Sequence, residues 1–512
     1  MEQSIDSIPM MPPPDEAGPA GMRLEGGRRW LLMALVLIGF ATSVYYFSWW
    51  FRDGRIYDPW LAVCFAMALF YVAVQVYCAC YVYLRIESPT TAPPPDGWSV
   101  DVFIPVYDEP HEMVERSLEA ALAIRYPHRT FLLDDARDPR FEALAERLGV
   151  EYRVRDDNRD AKAGNVNAAL AASDAEFVTI FDVDHIPEPD YLDSILGHFR
   201  DPSVGFVQSA VGFSNACESW VARAGAEQST DALGPTSMGM YGCGAAQVWG
   251  SHCTFRRATL DSIGGHQTGL AEDLHTSLRV HAAGWRSVFV PSLKALGLVP
   301  GDLMAAAKQQ LKWARGVFEI LLEVYPRVWK RLSLTQNLAY AVRFTYYLIG
   351  TVFLAHSVMA AAILTFGPLS ARAAFSEYLL HSIPFAASVI LVRRAALSAW
   401  SGSSPSMVSN WRGYVHTFLL WPVYTLALVL ALLRIRVPHI STPKETSRRT
   451  PPILVVPQVT LMAVLLAAVG SRVVQGWATV DVFPILFALA LAAIQVFAVI
   501  HTRQQAPAQH DS

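Results

Sequence analysis

Charged residues are scarce in this chain of 512 residues: Asp, Glu, Lys and Arg together make up 17%, whereas hydrophobic residues make up 53%. So small a charged fraction excludes an ordinary soluble domain of this length. The charges fall mostly between about Ser99 and Arg331, and long apolar runs lie on both sides of that region. The sequence therefore predicts a membrane protein with a soluble insert.

Two nucleotide-binding signatures are also absent. The chain has no Gly-x-Gly-x-x-Gly turn and no Walker lysine loop, which argues against a dinucleotide enzyme and against a P-loop ATPase. The six cysteines lack the paired spacing of a metal knuckle or a disulfide framework, so free thiols are expected. The net charge of −4 indicates no particular partner, and we expect no nucleic acid.

Six apolar stretches are about long enough to cross a bilayer: Trp30 to Phe51, Trp60 to Leu84, Phe344 to Phe366, Ala373 to Val392, Ile453 to Val474 and Val480 to His501. Arg28 and Arg29 precede the first stretch and Arg85 follows the second, which places the insert and both termini in the cytoplasm by the positive-inside rule. The sequence therefore predicts a multi-pass protein of the inner (plasma) membrane, with the lipid bilayer as a partner.

A seventh apolar stretch, Trp411 to Leu433, is interpreted differently. If it crossed the membrane, the basic residues between Arg434 and Arg449 would lie outside the cell, against the positive-inside bias. We therefore expect an interfacial or re-entrant helix there. Asp302 to Leu332 has apolar residues at helical spacing opposite charged ones, which is typical of amphipathic helices on a membrane surface.

The chain is therefore predicted to have eight parts: a disordered N-terminus (1–27), a transmembrane hairpin (28–86), a cytoplasmic domain (97–300), interfacial helices (301–333), two transmembrane helices (338–400), an interfacial helix with a loop (408–450), a transmembrane hairpin (452–502) and a disordered tail (503–512).

The cytoplasmic domain alternates short β-branched runs with helical stretches, which predicts an α/β fold with a mostly parallel, doubly wound sheet. The strands are expected at Ser99–Val106, Thr130–Leu133, Tyr152–Arg155, Phe177–Phe181 and Val204–Gln208. The helices are expected near Glu112–Ile124, Pro139–Leu148, Gly164–Ala172, Pro189–Phe199 and Leu274–Ala283.

The strand ending at Phe181 leads directly into Asp182-Val-Asp184. Open α/β sheets bind ligands beyond the carboxyl ends of their strands, and hard carboxylate oxygens suit Mg²⁺ or Mn²⁺. The sequence thus predicts a divalent cation held against a nucleotide diphosphate. The alternative is a solvated turn between a strand and a loop.

The chain contains seven short motifs: Asp101-Val-Phe-Ile-Pro-Val-Tyr-Asp-Glu-Pro110, Leu133-Asp134-Asp135, Lys162-Ala-Gly-Asn165, Asp182-Val-Asp184, Gly250-Ser251, Ala271-Glu272-Asp273 and Gln309-Gln-Leu-Lys-Trp313. They occur in the order found in membrane-integrated family 2 glycosyltransferases, and the chain resembles the cellulose, curdlan and hyaluronan synthase group from about Trp60 to His501. The resemblance implies a GT-A type domain inserted between transmembrane helices, a UDP-sugar donor and a polysaccharide acceptor.

Inverting sugar transfer needs a base across the sugar from the metal-bound diphosphate. Glu272 and Asp273 open a helical stretch, where backbone amides and the helix dipole stabilise a carboxylate. By resemblance to the family's Thr-Glu-Asp motif, Asp273 is the base, although Ala271 replaces the threonine. The alternative is a carboxylate that only caps the helix.

On the donor side, the resemblance makes Asp134 and Asp135 contacts of the nucleoside, Asp182 a contact that shares this role, and Asp184 the metal ligand. Lys162 lies at a turn into a helix, where an ammonium can meet a diphosphate, or it is simply solvated. Glu109 resembles the nucleotide-binding Tyr-Asn-Glu turn, with Asp108 replacing the asparagine.

On the acceptor side, Gln309, Lys312 and Trp313 resemble the Gln-x-x-Arg-Trp signature, whose Arg contacts the diphosphate and whose Trp packs against the acceptor sugar. Lys312 keeps the charge without the planar fork of an arginine. Trp313 could instead anchor an interfacial helix. Trp249 is a second candidate for the acceptor wall.

Three further expectations concern other positions. His439 to Lys444 resembles the gating loop of cellulose synthases, in which Thr442 would contact the donor. Tyr346, Tyr347 and His356 are candidate channel residues, whereas His185 and Cys253 are expected to serve local packing. The short C-terminal region leaves regulation to separate envelope or regulatory subunits.

The sequence therefore predicts a processive inverting β-glycosyltransferase that uses a UDP-sugar, with glucose as the expected hexose, and passes the polymer through its own helices. One alternative is a transferase that adds a single sugar to a lipid acceptor. The other is a non-catalytic membrane scaffold or carrier.

Overall fold

The computed structural model describes residues 24–52, 59–366, 375–401, 410–437, 451–477 and 481–502. The expected gating loop with Thr442, most of the expected N-terminal segment and the C-terminal tail lie outside the described residues.

Within residues 97–300, eight strands form one sheet in the order β3-β2-β1-β4-β7-β6-β8-β5. Only β7 and β5 run against the other strands, so the expectation of a mostly parallel sheet is confirmed. The strands are β1 (Val100–Val106), β2 (Arg129–Asp134), β3 (Glu151–Val154), β4 (Phe177–Ile180), β5 (Ile186–Pro187), β6 (Val204–Phe213), β7 (Cys253–Arg256) and β8 (Arg286–Gly297).

The first four strands lie close to their predicted positions, but the second half of the sheet departs from the prediction. The strand expected to end at Gln208 continues to Phe213, and β5, β7 and β8 were not predicted. The helix expected at Pro189–Phe199 is a short α-helix followed by a 3₁₀ turn, Leu196–Arg200. Long β6 and β8 pair with each other and reach from the domain toward the apolar helices.

The helices of the soluble domain cover both faces of the sheet. Val102 and Ile104 of β1 belong to one apolar cluster and Phe103 to another, because successive side chains of a strand point to opposite faces. The helices are α3 (His111–Leu122), α4 (Pro139–Leu148), α5 (Ala161–Ala172), α6 (Tyr191–Ile195), α7 (Trp220–Asp231), α8 (Ser237–Gly242), α9 (Arg257–Ile263) and α10 (Glu272–Ala282).

Among the described residues, five helices are long and apolar enough to cross a membrane: α1 (Gly26–Trp50), α2 (Pro59–Tyr83), α14 (Leu348–Phe366), α15 (Phe375–Ser401) and α18 (Val456–Val474). They flank the soluble domain in the sequence, as predicted. The last helix, α19 (Val482–Thr502), is apolar over a shorter stretch, Val482–Phe497.

The stretch predicted to be interfacial or re-entrant is two helices, α16 (Trp411–Leu419) and α17 (Trp421–Leu432), bent by 49° relative to each other. Pro422 lies in the first turn of α17, which is where a proline is compatible with a helix. A bend of this size fits a broken span as well as a re-entrant loop, so the interfacial placement stays a prediction.

The amphipathic region begins with α11 (Leu303–Glu319), whose N-terminus is capped by Asp302 accepting from the Ala305 amide at 2.9 Å. It continues through a π-helical turn, Ile320–Val324, into α12 (Tyr325–Val328). A further helix, α13 (Leu334–Thr345), was not predicted and precedes α14. The span expected to begin at Phe344 therefore begins at Leu348.

Buried polar contacts join the apolar helices to the soluble domain. The Trp400 indole, at the end of α15, donates to the carbonyl of Pro291 in β8 at 3.2 Å. A Cβ placed on Gly234, in the π-helical turn after α7, would lie 2.2 Å from the Trp400 ring, so only glycine fits there. These contacts fix the soluble domain against the apolar helices that flank it.

Candidate active site

Eleven of the thirteen predicted site residues line one cavity of 1510 Å³. The exceptions are Asp134, which lies outside the cavity lining, and Thr442, which lies outside the described residues. The eleven are Glu109, Asp135, Lys162, Asp182, Asp184, Trp249, Glu272, Asp273, Gln309, Lys312 and Trp313. Acidic residues far apart in sequence, such as Glu109 and Asp273, therefore meet in a single space.

The cavity has two walls. The domain wall consists of the lining residues of the soluble domain between Pro105 and Glu218 and between Trp249 and Asp273. The helix wall consists of the lining residues from α2, from the stretch between Glu227 and Thr236, and from the stretch between Val342 and Thr417.

Asp182, Asp184 and His185 form an acidic cluster just beyond the end of β4. One ligand atom from each lies within 4.8 Å of the others, a spacing at which the three could hold one metal ion. Two carboxylates with one imidazole are hard to borderline ligands that suit a divalent cation such as Mn²⁺ or Mg²⁺. His185 was expected to serve packing; its ring contacts His252 and also lies within reach of this cluster.

Lys162 lies in the first turn of α5 and is paired with protein groups, with 18% of its side chain exposed. Its ammonium donates to the Asp182 carboxylate and to the carbonyl of Gly250. Burial lowers the pKa of Lys162, but Asp182, Glu272 and Asp273 together raise it above its ordinary value. The lysine is therefore a fixed positive charge among the carboxylates.

The turn that carries Lys162 requires a glycine. A Cβ on Gly164 would lie 2.0 Å from the carbonyl oxygen of Arg159 and 2.5 Å from the Arg155 guanidinium. Arg155 in turn makes two hydrogen bonds to Asp135, at 2.6 and 2.7 Å. The close approach at Gly164 thus places Lys162 beside the strand ends.

Asp134 is the last residue of β2 and Asp135 follows it, but the two have different surroundings. Asp134 is fully buried and accepts from the amides of Ala136, Arg137 and Asp138 and from the Tyr152 hydroxyl. Its oxygens stabilise the turn after β2. Asp135 lines the cavity, so of the two only Asp135 is placed to contact a bound nucleoside.

Glu272 and Asp273 are the first two residues of α10, where the helix dipole favours negative charge. The Leu274 amide donates to Asp273 Oδ1 at 2.7 Å. Burial, reinforced by the neighbouring Glu272, raises the pKa of Asp273 to about 6, although Arg343 and Lys162 oppose the rise. A carboxylate with this pKa can accept a proton and is still ionised at neutral pH.

Gln309, Lys312 and Trp313 lie on one face of α11, since residues three and four apart are neighbours on a helix. This face lines the cavity. A Cβ on Gly316 would lie 2.7 Å from the backbone nitrogen of Ala271, so α11 packs directly on the turn that precedes Glu272. The helix is thereby fixed relative to the candidate base.

Trp249 lies on the domain wall next to Gly250. Its indole donates to the Ser237 hydroxyl at 3.1 Å, and its backbone amide donates to Gln208 at 2.9 Å. A Cβ added at Gly250 would come within 3.9 Å of Asp273 Oδ2. Trp249 is therefore held close to the candidate base.

The helix wall contains residues that were not predicted from the sequence. Seven lining residues of α2, from Tyr71 to Tyr83, recur on one helix face over roughly 18 Å, at 1.5 Å per residue. Tyr346 and Tyr347 line the cavity as expected, but His356 does not. Arg343, one turn before Tyr347, is a further lining residue that was not predicted.

Two carboxylates of the helix wall, Asp231 and Glu227, are paired with arginines. The Tyr83 hydroxyl donates to both oxygens of Asp231, at 2.8 and 2.9 Å, and Arg393 lies 3.7 Å from the same carboxylate. Glu227 accepts from the Arg412 guanidinium at 3.0 Å. Gln228 donates to the hydroxyls of Tyr346, Tyr424 and Thr417.

The six cysteines are free, as expected, and Cys253 is buried in the core beside β4. None of the six is among the cavity-lining residues except Cys80.

Comparison with known proteins adds three findings. Residues 177–470 match the family described as Glycosyl transferase family group 2. A cellulose synthase catalytic subunit (UDP-forming) of Pseudomonas fluorescens SBW25 is 30% identical over 382 residues, which are 69% of this chain and 51% of the relative. Cellulose synthase 1 of Komagataeibacter xylinus is 28% identical over 442 residues, which are 82% of this chain and 27% of the relative.

The chain thus spans about half the length of the first of these relatives and about a quarter of the second. Among solved structures, the mannosyltransferase PcManGT from Pyrobaculum calidifontis, in complex with GDP-Man and Mn²⁺, aligns with a TM-score of 0.48 at 18% identity. The alignment covers 80% of this chain and all of the mannosyltransferase.

Proposed function

The family match covers more than half of this chain, which therefore belongs to the family 2 glycosyl transferases, and from this premise we propose that the protein is a processive inverting β-glycosyltransferase. It takes a hexose, glucose in the first instance, from a UDP-sugar and adds it to a growing polysaccharide. The observation that carries the proposal is the single cavity shared by Asp184 and Asp273.

In this proposal the acidic cluster holds Mg²⁺ or Mn²⁺ with the donor diphosphate. The carboxylates of Asp182 and Asp184 are the main ligands, and His185 is within reach as a third. A bound divalent cation neutralises charge that develops on the leaving diphosphate. Lys162 adds a fixed positive charge beside it, already oriented by Asp182 and the carbonyl of Gly250.

Asp273 is the proposed base. It takes the proton of the acceptor hydroxyl while the hydroxyl oxygen attacks the anomeric carbon. The new glycosidic bond forms as the bond from the anomeric carbon to the diphosphate oxygen breaks, and UDP leaves with the electron pair. Attack from the side opposite the leaving group inverts the anomeric configuration, which requires the base and the diphosphate site to face each other across the sugar.

The helix wall supports translocation by the same chain. A polysaccharide presents rows of hydroxyls and apolar ring faces, which suit a passage lined by aromatic, amide and hydroxyl groups. The α2 face from Tyr71 to Tyr83 offers such groups over roughly 18 Å, more than half of a hydrocarbon core of about 30 Å. The protein would then lie in the inner membrane, with the soluble domain cytoplasmic and with separate subunits handling envelope transit or regulation.

A second candidate, transfer of one sugar to a lipid acceptor, is favoured by one observation. None of the described residues 59–70, the first half of α2, lines the cavity. A cavity that ends within the apolar region would suit a lipid-linked acceptor as well as a polymer.

The test uses the purified full-length chain in detergent with Mn²⁺ or Mg²⁺ and a panel of tritium-labelled UDP-sugars. The proposal expects UDP release with at least one donor and label in a high-molecular-weight product that a glycosidase digests. Label confined to organic-extractable lipid would favour the second candidate. Absence of UDP release from every donor would instead indicate a non-catalytic scaffold or carrier.

A further inference from the structure

The two walls of the cavity meet at a stacked pair of side chains. The guanidinium carbon of Arg343, on the helix wall, lies 4.3 Å from the centroid of the Trp249 ring, on the domain wall. Both residues line the cavity. A guanidinium at this distance from an indole face is in the range of a cation–π contact.

Arg343 has at least one N–H group, at Nε, that no described residue accepts. Among the described residues, no carboxylate lies within ion-pair distance of its guanidinium, and its buried Nε has no hydrogen-bond partner. An arginine has five N–H donors, and a charged group away from water is costly unless it is paired. The charges of Arg393 and Arg412, by contrast, lie beside Asp231 and Glu227.

The position of Arg343 is fixed relative to the candidate base. On the same helix α13, the hydroxyl of Tyr340 is hydrogen-bonded at 2.7 Å to His281, a buried residue of α10, the helix that begins with Glu272 and Asp273. His281 is hydrogen-bonded in turn to Ser287 of β8 at 2.7 Å. The pair of α13 and α10 is therefore held together through the core.

Helix α13 is also fixed to the loop that carries Trp249. The Gln336 side chain donates to the carbonyl of Gly244 at 2.8 Å, and the Thr335 hydroxyl donates to the carbonyl of Cys243 at 3.3 Å. Because the Trp249 indole is bonded to Ser237, neither partner of the stacked pair is free to swing away. The pair is thus a preformed surface.

We propose that Arg343 and Trp249 together form a binding subsite for a neutral saccharide, the acceptor sugar next to the one whose hydroxyl faces Asp273. The stacked guanidinium keeps its N–H edge toward the cavity and donates to sugar hydroxyls, while the indole gives an apolar surface for the ring. The assignment rests on the proposed transferase function. It adds to that function a residue which selects the acceptor.

The surrounding charge favours a neutral acceptor over an anionic one. Glu272, Asp273, Asp182 and Asp184 line the neighbouring wall, and the cations that act on Asp273 are Arg343 and Lys162. A uronic acid or a phosphate placed at this subsite would be repelled by these carboxylates. A hydroxyl-rich sugar gains the hydrogen bonds without that cost.

The test measures UDP release by the full-length protein in detergent, at saturating donor, as a function of acceptor concentration. The donor is the UDP-sugar that the wild type turns over, and the probes are cellotriose, the trimer of N-acetylglucosamine and an anionic trimer of galacturonic acid. The variants are Arg343→Gln and Arg343→Lys, and the control is Arg331→Gln, an exposed arginine outside the cavity lining. Each variant is also assayed for acceptor-independent donor hydrolysis.

Loss of a hydrogen bond from a charged donor is worth roughly tenfold in binding. We therefore expect Arg343→Gln to raise the acceptor KM for a neutral trimer by roughly tenfold or more and to shorten the polymer. Donor hydrolysis, measured in parallel, reports the separate effect of losing a charge that lowers the pKa of Asp273. Arg343→Lys keeps the charge but loses the planar guanidinium, so its acceptor KM should lie between those of wild type and Arg343→Gln. Arg331→Gln should behave as wild type.

Three outcomes would overturn the inference. Full recovery of the acceptor KM in Arg343→Lys would show that Arg343 acts only through its charge, for example on the pKa of Asp273. Hydrogen bonds from its guanidinium to the acceptor would then not be needed. A KM change confined to the galacturonate trimer would assign the subsite to an anion. An unchanged KM with a shorter or longer polymer would place Arg343 outside acceptor binding. If the wild type releases no UDP, the proposed function itself fails, which is a distinct result.

Discussion

The domain wall and the helix wall of the cavity carry charge differently. On the domain wall, acids outnumber bases: Lys162 and Arg116 share a surface with Glu109, Asp135, Asp182, Asp184, Glu218, Glu272 and Asp273. On the helix wall, Asp231 lies beside Arg393 and Glu227 beside Arg412. Carboxylates that outnumber the cations beside them repel one another, and a further cation relieves that repulsion. Under the proposed function, the domain wall binds this cation and the helix wall binds the uncharged sugar chain.

The largest expected effect concerns the base. Asp273→Asn should lower the rate of UDP release by about 10²–10⁴-fold, which is the usual worth of a positioned general base. The matched control is Asp261→Asn, an exposed carboxylate on α9 outside the cavity lining. If Asp273→Asn has a normal melting profile and a turnover within a few-fold of wild type, Asp273 is not the base, and the domain wall does not supply it.

The acidic cluster gives the second prediction. Chelation with EDTA should abolish UDP release, and Mn²⁺ or Mg²⁺ should restore it. Loss of a residue that only hydrogen-bonds a metal ligand weakens metal binding by roughly 10–100-fold. Asp184→Asn removes a proposed ligand itself, so it should raise the metal concentration needed for half-maximal rate by at least that factor. Asp193→Asn, on the domain surface beside Arg125, is the control. Metal-independent turnover would mean that the excess of carboxylates serves some other purpose.

The pH dependence of kcat/KM gives a further test of Asp273 on the domain wall. Because burial and Glu272 raise the pKa of Asp273 to about 6, the base loses its charge as the pH falls through 6. We expect kcat/KM to decline below about pH 6, approaching tenfold per pH unit. Glu272→Gln removes a negative neighbour and should therefore lower the pKa of Asp273 and move the decline to more acid pH. A decline that does not move would place the titrating group elsewhere.

The domain wall was largely predictable because its signals are local. Asp182 and Asp184 end an apolar run, and Glu272 and Asp273 open a helix, so the residue types and the element that positions them are neighbours in sequence. Asp134 and Asp135 mark the limit of this reasoning. The two are equivalent in sequence, but alternate side chains of an extended segment point in opposite directions, so one stabilises a turn and the other lines the cavity.

The helix wall could not be predicted in the same way. Arg343 lies one residue before a predicted span, where a lone arginine is typical of a charge at the membrane interface. Its place opposite Trp249 depends on how α13 packs against α10 and the loop at Gly244, which is long-range information. Strand β8 was missed for a related reason: Pro291 and Lys294 interrupt its apolar pattern, and pairing with β6 compensates for the interruption.

The smallest expected effect on the rate of sugar transfer comes from narrowing the cavity at the helix wall. This change is also the most direct test of the role of the helix wall. Ala79 lies on the α2 face that lines the cavity, and a tryptophan there would fill space that a polymer must pass. Ala79→Trp should shorten the product severalfold while the initial rate of UDP release stays near wild type, because the domain wall is unchanged. Met67→Trp is the control, since Met67 lies on α2 with its side chain mostly exposed and outside the cavity lining. Product length would be measured by gel filtration of labelled polymer. A normal product from Ala79→Trp would mean that the sugar chain leaves by another route, and the helix wall would then hold only the acceptor end.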